Sequence, residues 1–288
     1  MVYLFISPML LATSDTAFSD PQYIFEPKID GHRLIFSQQN GTIRLYTRHN
    51  NDCTRQYPEL QLPFEDDIIL DGEIACVDPV TGISDFESIM SRFQAKRSDK
   101  IQRLIVSLPV YYAIFDVLQY KGIDMRKRPL MERKELMFKL QLPSSSFGMV
   151  PYVEEAGVAL FEQIQARNME GVVAKRKDSV YVSRRSAAWQ KVINWSYADV
   201  FITGYRKGEF GWLAGVPNES GKIRPSGIIE LGATPTHKKA FYGVSKSLIT
   251  GEDREYVYVE PRIRARVKIR NWTKAGLLRS PVFTEFIV

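Results

Sequence analysis

The chain has 288 residues, of which 44% are hydrophobic and 25% are charged. This balance is ordinary for a globular protein, and the length is sufficient for one large domain or two modest ones. The net charge of +6 permits an anionic partner without requiring one. Two cysteines without metal-type spacing argue against a disulfide framework and indicate a cytoplasmic protein, and no stretch is long enough for a transmembrane helix.

The first two thirds of the chain mix strand and helix patterns, which predicts an α+β domain of antiparallel sheets with helices. Segments rich in β-branched and aromatic residues predict strands at Tyr23–Phe36, Thr42–Arg48, Ile68–Val77, Val110–Leu118, Glu170–Arg176 and Trp189–Trp195. Apolar residues spaced by three and four predict helices at Phe86–Lys96, Pro129–Leu140 and Val158–Asn168.

The helix pattern fades after Tyr197. Short strands separated by Gly, Pro and Asn follow, at Asp199–Tyr205, Ser226–Leu231 and Tyr256–Arg270. Such a block predicts a small all-β barrel, for which the OB-fold is the natural candidate. We therefore predict two domains, 1–196 and 197–288.

A lysine in the run Phe25-Glu26-Pro27-Lys28-Ile29-Asp30-Gly31-His32-Arg33 is the first candidate for chemistry. A lysine amine becomes a covalent nucleophile when burial or nearby cations depress its pKa. Asp30 can orient that side chain, and Gly31 permits a tight turn or a close approach. Arg33 offers a fork of donors for phosphate or sugar oxygens. The alternative is a solvated lysine at a strand turn.

Acidic residues next to glycines recur further along the chain. Asp71 and Glu73 are two positions apart, and in a strand this spacing places both carboxylates on one face. Glu170 precedes a glycine and an apolar strand. Carboxylates on a pocket wall suit sugar hydroxyls or Mg²⁺, although the Asp71-Gly72-Glu73 pattern by itself would usually be a hairpin turn.

Taken together, these stretches resemble the motifs of the covalent nucleotidyltransferases, and the order along the chain resembles that of ATP-dependent DNA ligases. The resemblance implies that Lys28 attacks the α-phosphate of ATP and that Asp30, Arg33 and Lys191 assist. It implies further contacts to the nucleotide from Glu26 at the adenine amino group, Glu73 at the ribose, Phe115 stacked on the purine, and Lys175. It also assigns Glu73 and Glu170 to the divalent metal, Mg²⁺ or Mn²⁺.

The implied protein is a minimal ligase, a monomer that consists of an adenylation domain followed by an OB-fold domain and has no membrane association. It would seal nicked duplex DNA through a lysyl-AMP intermediate and adenylated DNA. An RNA ligase or a capping enzyme would use the same lysine on another acceptor, and a binding protein could keep the fold without activity. One departure bears on this point: Ile193 occupies the position where ligases usually carry a second lysine, two residues after Lys191.

Basic residues supply candidate DNA contacts. The run from residue 262 to 270 alternates cations with apolar residues, so a strand would place all its cations on one face. This pattern predicts a phosphate track, or alternatively a charge-protected strand at a sheet edge. The resemblance implies that Arg48 faces the 5′-phosphate of the nucleic acid, and Arg184 and Arg185 lie in a basic loop that either contacts DNA or is solvated. The predicted DNA-binding residues are therefore Arg48, Arg184, Arg185, Arg262, Arg264, Arg266, Lys268 and Arg270. The resemblance weakly suggests that Arg279 approaches the ATP β- and γ-phosphates.

Overall fold

A computed structural model describes residues 5–78, 80–140 and 146–287. The chain divides into two compact units, Met1–Asn194 and Trp195–Val288. In the described part of the chain, no helix is long and apolar enough to cross a membrane.

Within the described residues, the first unit contains eleven of the seventeen strands and four of the five α-helices. Its strands are β1 (Leu10–Thr13), β2 (Tyr23–Pro27), β3 (His32–Gln39), β4 (Thr42–Thr47), β5 (Ile68–Ala75), β6 (Tyr111–Tyr120), β7 (Ile123–Asp124), β8 (Phe147–Met149), β9 (Val153–Glu154), β10 (Gly171–Arg176) and β11 (Arg185–Ile193). Its helices are α1 (Phe86–Phe93), α2 (Ser98–Ser107), α3 (Leu130–Lys139) and α4 (Gly157–Ala166).

These strands form two sheets. One has the order β1-β11-β10-β2-β9, and the other has the order β4-β3-β5-β6-β7 with β8 beside β6. Most pairings are antiparallel, but β1 with β11 and β6 with β8 are parallel, which corrects the prediction of purely antiparallel sheets. The connection between β2 and β3 therefore carries the chain from one sheet to the other.

Apolar clusters cover both faces of the sheets. A cluster that includes Ile24, Ile35 and Trp189 joins residues of both sheets. On the other face of the first sheet, Phe25 packs with Ile164 of α4. The other face of the second sheet has its own large core. Charged residues that lie between the sheets are thus removed from water.

The second unit has its own apolar core and contains both strands and helix. These are β12 (Ser196–Arg206), β13 (Trp212–Pro217), β14 (Ile223–Ile229), helix α5 (Pro235–Ser245), β15 (Ile249–Glu252), β16 (Tyr256–Ile269) and β17 (Val282–Ile287). The strand order is β14-β13-β12-β16-β15, with β17 also paired to β16. A bridge between Leu231 and Val282 joins the end of β14 to β17. The prediction of an all-β domain is wrong, because α5 lies within this unit.

Helix α5 begins at a local capping pattern, which the prediction from strand patterns missed. The Thr234 side chain accepts a hydrogen bond from the His237 amide, the His237 ring accepts one from the Thr234 amide, and Pro235 occupies the first turn. A capping threonine followed by proline is a typical helix start. Helix α2 was also missed, and the long strand predicted at Tyr23–Phe36 is interrupted between β2 and β3.

A buried ion pair attaches α3 to the second sheet. Arg133 donates through Nε and Nη2 to the two carboxylate oxygens of Asp116 on β6, at 2.7 and 2.8 Å, and both side chains are fully buried. The third guanidinium nitrogen donates to the Arg128 and Ser179 carbonyls. Arg133 therefore links α3, β6 and the segment after β10.

Replacing Arg133 with methionine is expected to lower the free energy of unfolding by about 3–5 kcal/mol, because Asp116 would remain buried without its counter-charge. Arg128→Met serves as the control, since Arg128 is exposed and lies 3.7 Å from Glu132; we expect about 1 kcal/mol or less. Urea unfolding of both variants measures the difference. Equal losses would contradict the structural role of the buried pair.

Candidate active site

A pocket lies where residues of the two sheets of the first unit meet. Its wall includes most of the side chains expected from the sequence, but Asp30, Glu170 and Lys191 are not among the residues that line it. Strand register explains why the others share the wall. In the first sheet, Glu26 of β2 is opposite Val173 of β10, which is opposite Lys191 of β11. In the second, Arg33 of β3 is opposite Glu73 of β5. The pocket is lined by Leu11, Glu26, Pro27, Lys28, Ile29, Arg33, Glu73, Phe115, Val150, Val173, Lys175 and Trp189.

Lys28 lies directly after β2, where the chain leaves the first sheet. Its amide donates to the Gly171 carbonyl at 2.8 Å, and its Nζ donates to Glu170 Oε2 at 2.7 Å. Gly171 has a φ of +151°, and a Cβ there would lie 2.1 Å from the Val192 carbonyl oxygen. Only glycine fits this position, and it allows Glu170 to reach the lysine.

Gly31 is explained by a close approach. A Cβ at Gly31 would lie 2.1 Å from the Ile74 carbonyl oxygen of β5, so any other residue would push the loop away from the second sheet. Asp30 lies in the same loop, where its amide donates to the Ser84 hydroxyl at 3.0 Å. The loop that carries Lys28 is thereby fixed between the two sheets.

Arg33 has a different environment from the one that the sequence suggested. Its Nε and Nη2 donate to both oxygens of Asp71 at 2.5 Å, and Nη2 also donates to the Met9 carbonyl at 3.2 Å. Tyr181 closes the network, since its hydroxyl donates to Asp71 and accepts from the Met9 amide. The expected open fork for phosphate is engaged with protein groups, because burial of Asp71 requires a cation beside it.

Glu26 and Lys175 form a buried ion pair at one end of the pocket. Lys175 Nζ lies 2.7 Å from Glu26 Oε2, and Lys134 of α3 donates to Glu26 Oε1. The Lys175 ammonium also lies 4.2 Å from the ring centroid of Phe115 and 4.1 Å from that of Trp189. Desolvation is the main cause that lowers the pKa of Lys175 to about 8.

Phe115 is in the pocket wall, but cations lie near its ring. Besides Lys175, the Arg33 guanidinium carbon is 4.5 Å from the ring centroid. Such contacts are favourable cation–π interactions. Stacking of a purine on Phe115 stays a prediction. A stacked purine would either lie on the ring together with these cations or displace them from it.

Glu73 and Glu170 provide the oxygen ligands that a divalent cation prefers. Burial is the largest cause that raises the pKa of Glu73 to about 7, and the neighbouring Glu170 charge adds to it, which indicates that the two carboxylates are close. Within the described ranges, no group of three or more His, Cys, Asp or Glu side chains could hold a metal unaided. Mg²⁺ typically uses one or two carboxylates plus substrate phosphates, so these residues fit a metal that arrives with a nucleotide.

Lys191 is half-buried on β11, on the same sheet face as Glu26. Ile193 is buried opposite Gly171, so an apolar side chain replaces a cation next to the Glu170-Gly171 turn. Neither of the two nearby cations, Lys175 and Arg176, is positioned to replace the lysine that is missing at residue 193. Lys175 is paired with Glu26, and Arg176 is paired with Asp178 on the opposite face of β10.

The family model described as ATP dependent DNA ligase domain matches residues 8–192. The chain belongs to the ATP-dependent DNA ligase family. It is 37% identical to the SPbeta prophage-derived DNA ligase-like protein LigB of Bacillus subtilis, over 99% of this chain and 100% of that protein. It is therefore an ATP-dependent DNA ligase, and an RNA ligase is not favoured.

Other relatives are longer than this ligase. It is 28% identical to the multifunctional non-homologous end joining DNA repair protein LigD of Mycobacterium tuberculosis, over 95% of this chain but 37% of LigD. The solved ligase domain of M. tuberculosis LigD matches with a TM-score of 0.59 and 26% identity, over 98% of this chain and 94% of that one. A Lig E DNA ligase structure has a TM-score of 0.69 at 18% identity and so supports the fold alone.

The predicted DNA-binding residues of the first unit are exposed. Arg48 donates to the neighbouring His49 ring at 2.8 Å. Arg185 donates to the Leu11 carbonyl, which ties β11 to β1, so part of its donor capacity serves the fold. Arg184 borders an open depression that also includes Tyr23 and Arg176.

The basic strand of the second unit has the predicted alternation, but its cations are not free of acids. Ala265, Val267 and Ile269 are buried, whereas the cations lie on the other face. Arg266 lies 2.9 Å from Asp199 of β12 and 3.6 Å from Glu285 of β17, and Arg262 lies 3.0 Å from Glu260. Arg264 is 3.8 Å from Asp199. The run of residues 262–270 contains no acid, but Asp199 and Glu285 approach it from the neighbouring strands and Glu260 precedes it within β16.

The other two cations of that strand lie near an aromatic ring. Lys268 Nζ is 4.9 Å and the Arg270 guanidinium carbon is 4.8 Å from the ring centroid of Trp195. Arg279, in the loop before β17, donates through its amide to the Asn271 carbonyl. Its suggested contact with ATP phosphates stays a prediction.

Sequence reasoning missed Lys134, Arg133 and Tyr181. A signal for the first two was present: they follow Leu130 by three and four residues and precede Met137, so they occupy the apolar face of α3. Cations at core positions of an amphipathic helix indicate buried acidic partners. Tyr181 had no comparable signal, since its partners are 110 and 172 residues away.

The pKa of Lys175 has a consequence for stability. An unfolded chain binds more protons than the folded one between pH 8 and 10.5, the folded and ordinary values of this lysine, so stability rises with pH across that window. Relative to Lys175→Met, we expect the wild type to gain on the order of 2 kcal/mol between pH 7.5 and pH 10. Urea unfolding at both pH values measures this. A pH-independent difference between the two proteins would refute the assigned burial cost.

Proposed function

We propose that this ligase seals nicks in duplex DNA through a lysyl-AMP intermediate on Lys28. The observation that carries the proposal is the position of this lysine on a pocket wall shared with Glu26, Glu73 and Phe115, which come from both sheets. We assign 1–196 as the adenylation domain, in which these residues bind ATP. The first compact unit, Met1–Asn194, contains all of these pocket residues.

Lys28 reacts through its amine. In the ion pair with Glu170, the ammonium is held in a fixed place, and loss of its proton frees the nitrogen lone pair. The nitrogen attacks the α-phosphorus of ATP; an N–P bond forms, and the P–O bond to pyrophosphate breaks. Glu26 accepts from the adenine amino group, and Glu73 lies near the ribose. Glu73 and Glu170 would hold Mg²⁺, which would neutralise phosphate charge.

The remaining steps transfer the adenylate and join the strands. An oxygen of the DNA 5′-phosphate attacks the lysyl-AMP phosphorus, the P–N bond breaks, and Lys28 recovers its amine. The 3′-hydroxyl then attacks the 5′-phosphorus, a phosphodiester forms, and AMP leaves. Lys191 lies on the same sheet face as Glu26 and is assigned to the α-phosphate. Asp30 and Arg33 are assigned to positioning, the latter through Asp71.

The second unit is proposed to be an OB-fold domain, residues 197–288. The strand path β17-β16-β12-β13-β14 returns to β17 through the bridge of Leu231 with Val282, and the Phe283 amide donates to the Leu231 carbonyl at 2.9 Å. A five-stranded, nearly closed barrel is the architecture of an OB-fold. We assign the basic face of β16, together with Arg48, Arg184 and Arg185, to the DNA backbone, with the ligase acting as a monomer.

Lys28→Ala is expected to abolish covalent labelling of the protein by ATP labelled at the α-phosphate, because Lys175, the other lysine on the described pocket wall, is held in an ion pair with Glu26. Lys96→Ala is the matched control, because Lys96 is an exposed lysine outside the pocket. A denaturing gel measures labelling, and a chase with nicked DNA measures sealing. Label retained by the alanine variant would disprove the role of Lys28, and label discharged only by nicked RNA would favour the RNA ligase alternative.

Loss of cations from β16 is expected to weaken DNA binding in a salt-dependent way. For Arg264→Gln/Lys268→Gln, the slope of log K against log salt concentration should fall by about 1.8, or about 0.9 for each lost phosphate contact. Lys239→Gln/Lys246→Gln removes the same charge from exposed positions on and after α5. Fluorescence anisotropy with nicked DNA at several salt concentrations measures both slopes. The same slope change in both proteins would indicate a general charge effect and would exclude a phosphate track on β16.

A further inference from the structure

Two lysines hold the carboxylate that is assigned to the adenine base. Glu26 is 2% exposed, and each of its oxygens has its own ammonium partner, Lys134 at Oε1 and Lys175 at Oε2. One cation is sufficient to neutralise a buried carboxylate. The second one restricts the plane in which that carboxylate lies, because Lys134 donates a hydrogen bond to one oxygen and the Lys175 ammonium lies 2.7 Å from the other.

The two lysines differ in their relation to the pocket. Lys175 is part of the pocket wall and contacts Phe115 and Trp189. Lys134 is 2% exposed, comes from α3 and, in the described part of the protein, is not among the residues that line the pocket. Whatever Lys134 contributes to nucleotide binding must therefore pass through Glu26.

Lys134 is itself held in place. The adjacent Arg133 is bound to Asp116 and to two backbone carbonyls, so this turn of α3 is attached to β6. The Lys134 ammonium also lies 5.6 Å from the ring centroid of Tyr152. An anchor of this kind can impose an orientation on Glu26, because it has little freedom of its own.

We propose that Lys134 is a specificity-determining positioning residue, which orients Glu26 so that the ligase selects a purine with a 6-amino group. This inference rests on the proposed function of Glu26. With one ammonium at each oxygen, the carboxylate still has lone pairs that accept from an amino group. A 6-keto oxygen offers no donor, and a base with only hydrogen at this position leaves the contact unmade.

The test compares lysyl-nucleotide formation with ATP and with purine riboside triphosphate, which lacks the 6-amino group. For Lys134→Met, we expect the preference for ATP to fall by about tenfold, the value of one hydrogen bond to a charged group. The loss should appear as a higher ATP concentration for half-maximal labelling rate, with the maximal labelling rate constant little changed. Lys134→Arg, which keeps a charged donor, should recover most of the preference.

Lys139→Met is the matched control on the same helix, because Lys139 is exposed; its preference should equal that of the wild type. Thermal melting verifies that each variant folds. If the methionine variant does not melt cooperatively, Lys134→Gln replaces it, since the amide keeps a donor but loses the charge, and a reduced preference is again expected.

An unchanged ratio between the two nucleotides in a folded Lys134 variant would overturn the inference. So would a loss of rate that is equal for both nucleotides, because it would indicate a purely structural role. If the wild type forms no lysyl-nucleotide at all, the proposed function fails instead, so the two failures are distinguishable.

Discussion

Burial of carboxylates between two sheets is the constraint on which the rest of the first unit depends. Glu26, Asp71 and Asp116 are each almost fully removed from water. A buried carboxylate is tolerated only beside a cation, so each one requires a partner with good geometry. The partners come from distant parts of the chain, and in meeting this requirement they bring α3, β3 and β10 to the pocket.

The same pairing explains why the pocket residues have few alternative positions. Arg33 connects Asp71 to the backbone at Met9, and Lys175 connects Glu26 to the aromatic rings of Phe115 and Trp189. Removing one member would leave a buried charge behind, which costs more than the lost contact itself. Lys28 differs from these groups, since its side chain is 19% exposed and its partner Glu170 is a candidate metal ligand. The reactive amine is thus the least confined of the pocket's cations.

In the second unit, the charged side chains of β16 are exposed to water and are not buried between sheets. Its cations lie on an exposed face of β16, where water screens them, and acids on β12 and β17 approach some of them. Exposed pairs of this kind contribute little to stability and exchange readily with other anions. A DNA phosphate can therefore compete for Arg264 or Arg266 at small cost, whereas it could not displace a buried partner of Arg33.

Local pattern was enough to predict the strands at Asp71 and after Glu170 and to give the order of the motifs, because these depend on residues close in sequence. It did not show that the strand predicted through Lys28 is interrupted between β2 and β3. The alternation along β16 was also confirmed, since strand geometry alone sets it. Helix α5 was missed although its capping residues are present in the sequence, because the prediction for this region relied on the strand patterns around it. Its cap is a local feature and was available in principle.

By itself, the sequence determined the chemistry that is present: a lysine beside a glycine turn, carboxylates two positions apart and a strand of alternating cations. Only the tertiary structure decided how these groups are used, with Arg33 committed to Asp71, Glu26 held by Lys134 and Lys175, and the cations of β16 facing acids from other strands. The reason is physical. The pairing of a buried charge depends on which groups lie within about 3 Å, and those groups are set by sheet register and by the crossing between sheets, over separations of up to 172 residues.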